Sequence, residues 1–176
     1  MKAVRILAVV VGMAVLTAAN LFADGNPPAS ATTATIDTDV TKPIQLALVP
    51  TVQLVPENES ITGLRLNIYG SNKNVFGVDI GLMHETKEDF HGVAFGLLSI
   101  VHGEARGLQF SGIYSAADKR MSGLQVGIVN RSYSANGLQI GIANFADDMT
   151  GIQIGLWNEI KNKPSWNVIP IINAAF

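Results

Sequence analysis

From Gly63 onward apolar residues alternate with small or polar ones, and the alternation itself recurs along the chain. In GLQIGIANF, for example, Leu138, Ile140 and Ile142 fall on one face of an extended strand, while Gly137, Gln139 and Gly141 fall on the other. A period of two is a strand signal. A helix is a poor alternative, because glycine every four residues would cost roughly 1 kcal/mol each in a helix interior. Copies begin at Gly63, Gly77, Gly92, Gly107, Gly123, Gly137 and Gly151, at intervals of 14, 15, 15, 16, 14 and 14 residues. Such a unit holds a strand and a turn. The copy at Gly107 has Ser111 and Gly112 where the others have one residue, which predicts a β-bulge that absorbs the extra residue.

Two all-β architectures can use the repeat: an antiparallel meander with one strand per copy, or a β-solenoid with one coil per copy. The polar face reads the same in both directions about its glutamine, as in Met149, Gly151, Gln153, Gly155 and Trp157. Equal hairpins would therefore set Gln125, Gln139 and Gln153 side by side, so the expectation is an up-and-down antiparallel meander. Seven copies plus Pro43–Pro56 and Ser165–Phe176 supply about eight to ten strands, enough to close a small barrel. The β-solenoid is the alternative.

The alternation does not decide which face is inside. In a membrane barrel the Leu/Ile face would meet lipid, and the Gly/Gln face would line a narrow lumen in which Arg65 could pair with Asp79. Three outward residues span roughly 16 Å of strand, against an apolar band of about 25 Å in such barrels. Turned inward, the same stripe would be the core of an exported soluble domain whose flat Gly/Gln face or loops meet a partner. The end at Phe176, with apolar residues at alternate positions before it, resembles the last strand of bacterial outer-membrane barrels.

The start of the chain adds an address. Met1, Lys2 and Arg5 precede the uncharged apolar block Ile6–Ala19, which is too short to span a bilayer and has the form of a secretory signal peptide. The expected organisation is a signal peptide over 1–23, a flexible segment over 24–42 and one repeat-built β domain over 43–176. Cleavage is expected after Ala23, with Ala19 as the alternative.

Charge and chemistry mostly exclude. Net charge is −2 and charged residues make up 15% of the chain, so there is no basic stripe for nucleic acid. With no cysteine, disulfides, lipidated cysteine and thiol catalysis are unavailable. No nucleophile elbow, zinc-protease or phosphate-loop motif occurs, so no catalytic, cofactor-binding or metal-ligating residue is assigned and no enzyme is expected. His84, His91 and His102, with Glu85, Glu88 or Glu104, are read as scattered surface groups at turns and not as a metal site. Asp147 and Asp148 are read as a solvated turn and not a calcium loop. The acceptor patterns at Asn58 and Asn130 are read as chance, and Trp157, Trp166, Tyr69, Tyr114 and Tyr133 as strand-end aromatics.

Three blocks, PIQLALVPTVQLVPENESITGLRLNIYGSNKNVFGVDIGL, the GLQxGxxN copies and the tail IPIINAAF, resemble a family of bacterial surface-repeat proteins found among spirochaete outer-surface proteins. The pattern departs at Asp79 and Ala94, in place of glutamine, and at His84 and Ser99, in place of the closing asparagine. The resemblance implies export and a place in the outer membrane or at the cell surface, with membrane lipid as partner and no catalytic residues. The functional expectation is an exported, non-catalytic outer-membrane barrel that interacts through its loops. The alternative is a soluble exported binding or adhesion module.

Overall fold

The computed structural model describes residues 41–176; the expected signal peptide and nearly all of the segment after it lie outside the described residues. The described chain is all β. Its strands are β1 (Thr41–Val49), β2 (Val52–Gln53), β3 (Ser60–Asn72), β4 (Val75–Thr86), β5 (Phe90–Val101), β6 (Glu104–Ile140), β7 (Ala143–Gly155), β8 (Trp157–Ile160) and β9 (Ile171–Ala175).

The pairing corrects the expected meander. β1, β3, β4, β5, β6, β7 and β8 pair in parallel, each copy on the one before, so the chain forms a β-solenoid and not an antiparallel barrel. Gly63 lies beside Gly77, Gly77 beside Gly92, Gly92 beside Gly107, and Gly137 beside Gly151. Parallel neighbours need a return path of a dozen residues or more. Each 14–16-residue repeat is that path. The palindrome that favoured hairpins covers only five positions, whereas in-register coiling also stacks Asn130, Asn144 and Asn158, which lie outside it. The 37-residue run of β6 passes through the coils at Gly107, Gly123 and Gly137.

The sixteenth residue of the Gly107 coil is absorbed where the sequence places it. Gly96 pairs with Ser111 and Leu98 with Tyr114, so the register slips by one between them. Downstream of the bulge the inward row resumes at Ser115, one coil before Asn130.

The first glycine of each copy turns the corner into the strand. Its φ lies between 116° and 150°, a region that L side chains rarely adopt. The coils also touch there through backbone alone.

An apolar row from Ile61, Val75 and Phe90 through Ala105, Met121 and Ala135 to Met149 fills one part of the interior, joined by Val101, Ala117, Ala146 and Ile160. Both ends are capped by antiparallel segments. β2 turns back over β1, and β9 turns back over Gly151–Gly155 of β7.

Candidate functional site

The interior carries a polar column beside the apolar one. Gln45, Arg65, Asp79, Gln109, Gln125, Gln139 and Gln153 are all buried. The flat Gly/Gln surface considered for a partner is therefore inside. Gln153 donates to Gln139 at 2.8 Å, Gln139 to Gln125 at 2.8 Å and Gln125 to Gln109 at 2.9 Å. A second ladder runs the other way: Asn130 donates to Asn144 at 2.8 Å and Asn144 to Asn158 at 2.7 Å. Stacked identical amides give each other partners, which offsets most of the desolvation cost of a buried polar column, with Asn130 Oδ1 and Gln153 Oε1 left over at the ladder ends.

Ala94 interrupts the glutamine column, and on its far side stand the charges. Arg65 and Asp79 form an ion pair with both side chains about fully buried, the partnership their positions in adjacent copies predict. Asp79 Oδ1 also accepts from Asn67 at 2.9 Å and faces His84 Nδ1 at 2.8 Å. Arg65 further donates to the Glu85 carbonyl at 2.9 Å. Burial opposes ionisation of Asp79, but the Arg65 charge and the hydrogen bonds from His84 and Arg65 outweigh it and hold the carboxyl below its ordinary range.

His84 corrects the reading of all three histidines as surface groups. Its ring is buried, with Nε2 3.0 Å from the Phe95 carbonyl oxygen, and it occupies the space that a side chain on Gly96 would need. A histidine at the inward asparagine position has nowhere else to go. His102 lies partly exposed between Asp118, at 2.6 Å, and Glu85, at 3.4 Å. Hydrogen bonds that its ring nitrogens donate to Asp118 and Glu85 raise its pKa to about 9 against partial burial. The His102 bond, with help from Tyr69, lowers Glu85 to about 2.

Among the described residues no group of three or more acidic or histidine side chains is arranged to hold a metal ion. Asp147 meets Lys161 at 3.3 Å and Asp148 meets Asn162 at 3.0 Å, each across one coil. These contacts make the acidic turn a bridge between neighbouring coils.

The outer surface is where the molecule departs from ordinary burial. The Leu/Ile rows face outward along the whole coil stack. Leu64, Val78, Val93, Leu108, Leu124, Leu138 and Ile152 make one row; Leu66, Ile80, Phe95, Phe110, Val126, Ile140 and Ile154 the next; Ile68, Leu82, Leu97, Ile128, Ile142 and Leu156 a third. Ile44, Leu46 and Leu48 on β1 continue the rows at one end. Ile142 is 53% exposed and Ile80 45%. No charged residue occupies any of these positions, while Lys87, Arg106, Lys161 and their acidic partners stand in the turns. With Ala174 and Ile172 of β9 beside Ile152 and Ile154, the face spans nine strand positions at about 4.8 Å and three rows about 6.7 Å apart, on the order of 700 Å² with side-chain width included. The largest patch on a typical monomer is about 300–600 Å². At one end the turn at Thr51–Leu54 overhangs the rows, making an apolar groove of about 670 Å³ lined by Leu46, Leu48, Leu54, Leu66 and Ile68.

Compared with known proteins, the chain matches no family model, no curated protein and no solved structure.

Proposed function

We propose that the protein is an exported, non-catalytic β-repeat module that acts by contact at the bacterial outer membrane or cell surface, with its apolar face as the contact surface. The observation that carries this reading is the uncharged face itself, exposed along every coil and bordered by polar turns. Keeping such a surface bare in water is unfavourable in proportion to its area. An exposed apolar face of this size is the mark of an interaction site. The basic and apolar start of the chain supports export.

A lipid surface is the second reading of the same face, favoured by the division of the coil into one apolar side and charged turns. The barrel form of the membrane reading is set aside, since the strands that would have closed it coil in parallel.

The chain has no cysteine, so single thiols can report cover. Ile128→Cys on the face and Lys119→Cys in a turn are treated on intact expressing cells with a membrane-impermeant maleimide. The turn thiol should react at once and the face thiol only after denaturation. Equal reaction at both sites would remove the face as a contact surface. Reaction at neither until the cells are permeabilised would remove the surface location.

A further inference from the structure

The two ends of the stack are defended and its side is not. At one end Ala47 pairs with Gln53 and Leu54 donates to the Leu46 carbonyl at 2.9 Å. At the other, β9 covers Gly151–Gly155 and Ile160 donates to the Asn167 carbonyl at 2.8 Å. Antiparallel caps of this kind block end-to-end growth through free strand edges. Among the described residues nothing comparable guards the apolar face.

Resting on the reading of that face as the contact surface, we infer that its occupant is the same face of a second copy, in a closed twofold dimer. Size is the first argument. About 700 Å² per copy is close to the roughly 800 Å² per partner of a standard stable interface. Shape is the second, because two sheet faces can stack about 10 Å apart with their rows interdigitated. The third is an anchor. Phe95 and Phe110 stack at 5.1 Å with their rings 7° from parallel, and the Phe110 coil is the fifth of nine strand positions from β1 to β9. A twofold centred there sets aromatic against aromatic at the middle of the interface, where binding energy concentrates.

Charge argues for a protein partner over an anionic bilayer. Three of the turn cations are matched by acids: Lys87 by Glu57 at 2.6 Å, Arg106 by Glu104 at 2.8 Å and Lys161 by Asp147 at 3.3 Å. Those pairs reduce the positive charge beside the face that could draw it onto negative headgroups.

The test is sedimentation velocity of the exported full chain at micromolar concentration, together with oxidative cross-linking. The dimer predicts about twice the monomer mass, and Phe110→Glu should weaken association at least about 30-fold with the β circular dichroism unchanged. Phe110→Cys, a smaller change to the fold, should form a disulfide-linked dimer on mild oxidation, and Lys119→Cys should not. A monomeric chain that floats with phosphatidylcholine vesicles would overturn the pairing while leaving the face as a contact surface, occupied by lipid. A monomer that ignores vesicles would overturn the pairing and the lipid reading together, while protection of Ile128→Cys on intact cells decides separately whether the face is a contact surface.

Discussion

Gly137 lies over Gly123 so closely that a β-carbon on it would come 2.1 Å from the Gly123 carbonyl oxygen, at a φ of 133°. Glycine is required there twice, for its backbone conformation and for its lack of a side chain. Gly137→Ala should therefore cost about 3 kcal/mol or more, combining strained φ with a displaced coil. The drop in urea midpoint of the exported chain measures it. A loss below about 1 kcal/mol would contradict backbone stacking at this corner.

Nearby residues on the inward and outward sides of one coil should respond unequally. Gln139 holds both Gln125 and Gln153 in the buried ladder, so Gln139→Ala breaks two amide bonds and opens a cavity, at about 2–4 kcal/mol. Ile142, three residues on, is exposed in the single chain, and Ile142→Lys should stay within about 0.5 kcal/mol at concentrations low enough to keep the chain monomeric. Thermal melts of the two variants give the comparison. The opposite order would put leucine and isoleucine inside.

Removing one partner of a buried ion pair strands the other. Asp79→Ala should cost about 3–5 kcal/mol by leaving the Arg65 charge uncompensated. Because the folded carboxyl is held below its ordinary value, its contribution is present above that value and fades as pH falls toward the lowered one. Stability against pH in acid should thus fall less steeply in Asp79→Ala than in the parent chain. Parallel acid limbs in the two proteins would count against the pair.

His102 gives a pH dependence of the other sign. Its folded pKa of about 9 exceeds the ordinary 6.5, so its stabilisation is full below about 6.5, declines through alkaline pH and is gone above about 9. Glu85, lowered to about 2 from 4.5, contributes above about 4.5 and loses that as pH falls. His102→Gln should flatten the alkaline decline between pH 6.5 and 9, read by urea midpoints across that range. An unchanged slope would show that the bridge to Asp118 and Glu85 does not form.

Much of the architecture is legible in the letters. The glycine intervals mark the coils, Ser111–Gly112 marks the bulge, and the replacement of glutamine by Arg65 and Asp79 in adjacent copies marks their pairing. Strand direction is not, because a palindrome about Gln139 stacks like on like in either sense. The inward side is not legible either: burial of Leu138 and exposure of Gln139 is what composition alone suggests, and only the mutual satisfaction of stacked amides reverses it. The burial of His84 is hidden for the same reason. A histidine in a turn reads as solvated until the inward asparagine column is recognised at its position.

The parallel coil is the claim on which the buried amide ladder and the exposed apolar face both depend. Nitroxide labels on cysteines introduced at the exposed positions Asn136 and Thr150 test it directly, because these residues are register partners across one coil. The account predicts strong dipolar broadening, from labels within roughly 10 Å. In an antiparallel hairpin with Gln139 beside Gln153, Asn136 would pair with Leu156, leaving Thr150 about 20 Å away. A weakly broadened spectrum at that distance would contradict the solenoid.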